Sequence, residues 1–312
     1  MQWNQIKTLF LVCFLVLDVY LLFQFFNKQK EDNISVQDTP DRSIEEQLVQ
    51  ENIKIGDLPD QEYNESYITV RQQTLGEEEK KQLEDLTNQD SIAIDNKFIL
   101  SVFEKPVPIP ENAKDEEISS IIEKNIMYPD DYKFKSWDKE LNVLILFQKK
   151  NDRPVYFNQN GMILIFLNDK NEMTGYTQTM LSKPEKTKTD KKSLIKPIKA
   201  VELLYKSNQL NSGSEIKSAD LVFYTRIPLR NGLQVFVPTW KIAVTDKDEK
   251  KNYFVNAIEG FIIQSDETLF MKNTIEEDIN RIQRADLNSK LQSQLLQMLN
   301  ERLDLVNRGE SS

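Results

Sequence analysis

The chain has 312 residues with 39% apolar and 29% charged side chains, which suits one or two ordinary domains and excludes a disordered tether. A formal net charge of −10 argues against nucleic acid, whose phosphates need a basic stripe, and an acidic body gains little from an anionic membrane surface. There is no histidine, one cysteine, and eight glycines that fit neither GxGxxG nor GxxxxGK[ST], so Ser-His-Asp, Cys-His, HExxH, Cys/His zinc and phosphate-loop chemistries are all missing.

No catalytic residue, cofactor or metal is therefore expected. A hydrolase working with carboxylates alone is the enzymatic class left open, and no facing pair of acids stands out among the scattered Asp and Glu.

Residues 6–26 read IKTLFLVCFLVLDVYLLFQFF and are expected to form a transmembrane helix. Residues 9–26 alone give about 27 Å at ~1.5 Å per residue, close to a hydrocarbon core of about 30 Å. Gln24, Phe25 and Phe26 follow the apolar run where a signal peptide would carry small residues, so the anchor is expected to stay. Cys13 lies inside the run and reads as an inert thiol buried in it. Asp18 near the middle costs roughly 2.5–3.5 kcal/mol in lipid, so it should face a protein partner. Gln24 lies about 120° round the helix from it, and the partner-binding set is Asp18, Phe14, Leu21, Leu22 and Gln24. Charge counting does not decide the topology, because Lys7 and the free amine stand against Lys28 and Lys30.

Residues 27–62 are polar and acidic and read as a stalk, with a short helix beginning at Ser43, which stands at capping-box spacing from Glu46. The Asn64-Glu65-Ser66 sequon is a frequent chance match. Folded structure is expected from a strand at 67–70, followed by a helix at 76–86 and strands at 91–94 and 97–104. Pro106, Pro108 and Pro110 should break the last of these. A helix at 113–125 carries Ile118, Ile121, Ile122 and Ile126 on one face. Next comes a β-meander: 141–148, then 154–158 paired with 162–167 across a turn ending in Gly161, then 173–181.

The lysine-rich stretch 183–199 reads as a solvated connector. A helix at 193–206 with Pro197 in its first turn leads to strands at 216–227, 233–244 and 253–263. The segments starting at Val155 and Phe254 share a faint strand–turn–Gly–strand echo, in which Asn and Gly supply the positive φ of tight turns. The expected fold class is α+β, with an ectodomain of two similar halves, each an antiparallel sheet with helices on one face. After Ser265 an apolar stripe from Ile275 to Val306 predicts two amphipathic helices split near 285–288, docked either on the chain's own core or on a partner.

Several phrases resemble the YycI (WalI) regulatory proteins, accessory to the WalK/WalR two-component system of low-GC Gram-positive bacteria. They are the opening run from Trp3 to Phe10, Phe14 to Val19 in the anchor, Trp240-Lys241-Ile242, and the run from Tyr253 to Gly260. The last run is also similar to a hairpin of PepSY-type modules. The expected organisation is a tail at 1–5, a helix at 6–26, a stalk at 27–62 and a folded domain at 63–266 with halves of about 63–182 and 193–266, and the resemblance implies that the tail is cytoplasmic and the domain extracytoplasmic. The helical extension at 267–312 lies outside the resemblance. The resemblance also implies partnership with a YycH-like protein and modulation of a WalK-like sensor kinase through transmembrane helix contacts, rather than catalysis. A PepSY-like inhibitor or ligand-binding module is the competing class. Trp240, Tyr253 and Phe254 read as core aromatics before they read as interface anchors.

Overall fold

The computed structural model describes residues 7, 10–22, 24, 43–185, 190–228, 232–247 and 249–309, with the backbone alone for 226–228, 289 and 309. Its contacts divide the chain into two units, 1–52 and 53–312. In the first, residues 10–22 are helical. A second helix, Ile44–Gln50, starts where Ser43 Oγ accepts from Glu46 N at 3.3 Å, the cap that its spacing predicts.

In the second unit the elements run β1 (Ile68–Arg71), α1 (Glu77–Glu84), β2 (Gln89–Ile94), β3 (Phe98–Pro108), α2 (Asp115–Glu123), β4 (Tyr132–Asp138), β5 (Val143–Lys150), β6 (Arg153–Tyr156), β7 (Met162–Leu167) and β8 (Glu172–Thr179). They continue with α3 (Pro197–Lys206), β9 (Glu215–Pro228), β10 (Leu233–Asp246), β11 (Glu249–Asn256), α4 (Glu267–Arg284) and α5 (Ser289–Gly309).

The first half-sheet has the order β2-β3-β8-β7-β5-β4 and is antiparallel throughout. The second is the β9-β10-β11 meander, with β1 on the far end of β10 and Lys54–Ile55 running parallel to β9. Strand β6 joins them. It pairs antiparallel with β5 at Lys149 and Lys150, and parallel with β9 at Phe223 and Tyr224. The result is one 13-stranded sheet among the described residues.

Both faces of the first half-sheet are covered. Val143, Ile145 and Phe147 point to the side taken by α4 and α5, while Leu144 and Leu146 point to α2. Every residue of β7 is buried, as expected for a strand sandwiched between helical layers. Helix α4 contributes Met271, Ile275, Ile279 and Ile282 to this core, and α5 contributes Leu291, Leu295, Leu299 and Val306. The stripe after Ser265 is thus buried on the chain's own sheet, and the helices divide at Ala285 as predicted. The expectation of helices on one face only is corrected, because a strand with apolar residues at both parities needs cover on both sides.

Three local expectations also change. The segment 153–156 does not pair with β7. Phe157 takes φ +53°, and the Asn158 amide donates to Thr225 Oγ1 (2.8 Å) and Gln234 Oε1 (2.6 Å), which turns the chain toward the second half-sheet. Positive φ consequently falls on Phe157 and not on Gly161, whereas Gly260 has φ +69° as expected. Strand β3 runs through Pro106, because its partner β2 begins at Gln89 opposite Phe103 and leaves an edge where a missing N–H breaks no ladder bond on that side. Strand β4 was not expected at all. A bulge between Phe134 and Ser136 interrupts the two-residue period that would have revealed it.

Candidate functional site

The sequence places its partner-binding residues on the helix of residues 10–22. At 100° per residue, Phe14, Asp18, Leu21 and Leu22 fall within one sector of about 100°. All four are exposed, Phe14 and Leu22 to 58%. Gln24 sits off this sector and donates to Tyr20 Oη at 2.9 Å. The rings of Phe10 and Phe14 lie 6.2 Å apart. Cys13 is a free thiol and is exposed, so protein does not cover it. Among the described residues no helix is long and apolar enough to cross a membrane. The expected span also takes in residues 6, 8, 9, 23, 25 and 26, which lie outside the described residues.

A second candidate, invisible in the sequence, lies where the half-sheets meet. Beyond β6 the rings of Phe147, Tyr156, Tyr224, Phe254 and Phe270 stand 5.2–6.0 Å from the ring of Phe157. Edge-to-face pairs of this kind contribute about 0.5–1.5 kcal/mol each beyond area burial, which offsets the roughly 1–3 kcal/mol cost of a left-handed backbone at a non-glycine residue. Lys135 of β4 reaches into this cluster, its Nζ 5.9 Å from the centroids of both Phe147 and Phe157, and forms an ion pair with Glu267 at the start of α4. Burial pushes Lys135 down to about 8, Asp138 opposes the fall and Lys241 adds to it. The Glu267 carboxylate at its head also favours the charged form.

Beside the pair is a cleft of about 140 Å³ walled by Tyr156, Phe157, Lys250, Asn252, Phe254 and Ser265. Lys241 borders the junction from β10, 5.6 Å from the Tyr156 ring and 3.5 Å from Asp220. The cleft has the donors to hold a small polar molecule. Among the described residues no group of three or more acids or cysteines is placed to hold a metal.

Other residues singled out by the sequence are structural. Trp240 is fully buried, Phe254 is 2% exposed, and Tyr253 Oη donates to the Gln209 carbonyl at 2.8 Å. In the lysine-rich connector, Lys196 pairs with Asp60 and Lys199 with Glu202.

Among solved structures, the chain is similar to an uncharacterized protein from Eubacterium rectale ATCC 33656, with 10% identity, a TM-score of 0.39, and coverage of 69% of this chain and 91% of that one. It is also similar to the YpeB C-terminal domain of Bacillus megaterium, with 13% identity, a TM-score of 0.36, and coverage of 62% and 97%. No curated protein matches the chain. Residues 29–258 match the YycI protein family, a stretch that takes in both half-sheets and ends before α4, and the chain belongs to that family of two-component regulatory accessory proteins.

Proposed function

We propose that the chain is a membrane-anchored accessory regulator of a WalK-type sensor kinase, acting together with a YycH-like protein. Its N-terminus is cytoplasmic and its folded domain extracytoplasmic, so that domain cannot touch the cytoplasmic parts of the kinase. Any influence on signalling then travels sideways between helices in the bilayer, and cell-wall homeostasis is the output regulated.

One observation carries this reading: the exposed, apolar helix of residues 10–22 holds a single carboxylate, Asp18. Helices in lipid associate through close packing and polar pairing, and a side chain of this kind contributes about 1–2 kcal/mol. Phe14, Leu21 and Leu22 supply the packing around it, and Gln24, about 120° round the helix, need not meet the same neighbour.

Replacing Asp18 with Leu tests the proposal. Co-purification with the kinase is expected to weaken and transcription under its response regulator to change; unchanged behaviour in both assays discards the idea. The competing reading, an extracytoplasmic inhibitor or ligand-binding module, draws on the polar cleft beside Lys135. Expressing residues 1–30 alone separates the two. Kinase modulation by this fragment supports the lateral route, while activity confined to the soluble domain supports the module.

A further inference from the structure

Helices α4 and α5 cover the first half-sheet with an apolar stripe, and that stripe contains one acid. Asp278 lies between Ile275 and Ile279 and is only 4% exposed. The Thr177 side chain of β8 lies against it. Arg281 Nη1 lies 3.8 Å from Asp278 Oδ1, beyond hydrogen-bonding reach. This ion pair leaves Nη1 buried without a hydrogen-bond partner, while the guanidinium also pairs with Glu277 and lies 5.2 Å from the Phe98 ring.

The other elements packed here bring no charge to Asp278. Strand β3 presents Phe98 and Leu100, β7 presents Leu164, and α5 presents Leu291 and Leu295. Arg302, the buried cation of α5, is committed to the carbonyls of Leu167 and Met298. Burial raises Asp278 to about 7, with Arg281 and then the Thr177 hydroxyl opposing the rise and Glu277 adding to it.

We propose that Asp278 is a proton-operated latch on the α4–α5 cover, which is seated most firmly with this carboxyl protonated and opens more often once it is ionised. A carboxyl in water has its value near 3.9. When the cover lifts between that pH and about 7, one proton is released, so opening becomes easier as pH rises through this window. Below the window both states are protonated, and above it both are ionised. The device thus senses mild acidification, tightening the cover over a sheet face that is otherwise apolar.

Hydrogen exchange on the full chain in detergent micelles, from pH 4.5 to 8, tests this. After correction for intrinsic exchange, opening of α4 and α5 is expected to increase about tenfold per pH unit up to about 6.5 and to level off above about 7.5. Strands β5 and β7 serve as the internal reference. Asp278→Asn should keep the helices protected with no such slope. Arg281→Met, which removes a charge that favours ionisation, should move the levelling-off to higher pH, a shift that a purely structural role would not produce. A wild type and an Asp278→Asn variant that follow the same pH course would overturn the proposal, as would a levelling-off unmoved in Arg281→Met.

Discussion

Trp240 Nε1 donates to the Ile195 carbonyl at 2.8 Å, so the indole in the middle of β10 holds the segment that leads into α3. The ring is fully buried and forms a T-shaped pair with Tyr63, centroids 5.2 Å apart. Trp240→Phe keeps an aromatic body but removes the donor that the part-buried Ile195 carbonyl uses. A loss of about 1–3 kcal/mol is expected in urea unfolding of the full chain, and a change below about 0.5 kcal/mol would show that the bond contributes nothing.

The packing of the C-terminal helices gives a paired prediction on α5. Leu295 is fully buried against the first half-sheet, whereas Leu305, three turns on, is 38% exposed. Leu295→Ala should cost about 2–5 kcal/mol through lost burial and a residual cavity. Leu305→Ala should stay within about 1 kcal/mol. Equal effects from the two, read from denaturation midpoints, would mean that α5 is not seated on the sheet as described.

Much of this architecture was legible in the sequence. Alternation in β10 and the 3–4 spacing of Ile275, Ile279 and Ile282 follow directly from side-chain geometry, and Ser43 announces its own helix. What stayed hidden depends on contacts between distant segments. Nothing local at Val155 says that its ladder partner is Phe223 rather than a residue of β7. Asp18 stood out because a charge in an apolar run is a one-dimensional signal. Lys135, Phe157 and Glu267 come together only after the half-sheets are joined, so their cleft had no signature. Asp278 did leave a trace, an acid inside an otherwise apolar stripe, which is a signal that amphipathic patterning alone passes over.

The Lys135–Glu267 pair makes stability depend on pH in a calculable direction. In Glu267→Gln the buried ammonium keeps no partner at the start of α4, and burial alone then favours its neutral form in the folded state. In the wild type the ammonium is charged below about 8 and deprotonates as pH rises past it, so the ion pair contributes fully below that pH and its contribution fades above it. Thermal melting should therefore show a larger deficit for Glu267→Gln at pH 6.5 than at pH 9.5. A deficit independent of pH would indicate that Glu267 acts only as a helix-terminal residue.

Gly175 is constrained by space and not by backbone conformation. It sits at the bulge of β8, where the register shifts against both β3 and β7 after Met173. A Cβ added there would lie 2.6 Å from the Ser101 carbonyl oxygen and 3.1 Å from Met298 Cε. The methionine end can swing away, but the carbonyl belongs to the adjacent strand and cannot retreat without opening the ladder. Gly175→Ala should consequently destabilise the chain by about 1–3 kcal/mol. Adding Met298→Ala should not restore the loss, because the backbone oxygen is the obstacle. Recovery of the wild-type denaturation midpoint in the double variant would place the clash on α5 instead, and would make the helix, rather than strand β3, the reason that glycine occupies this position.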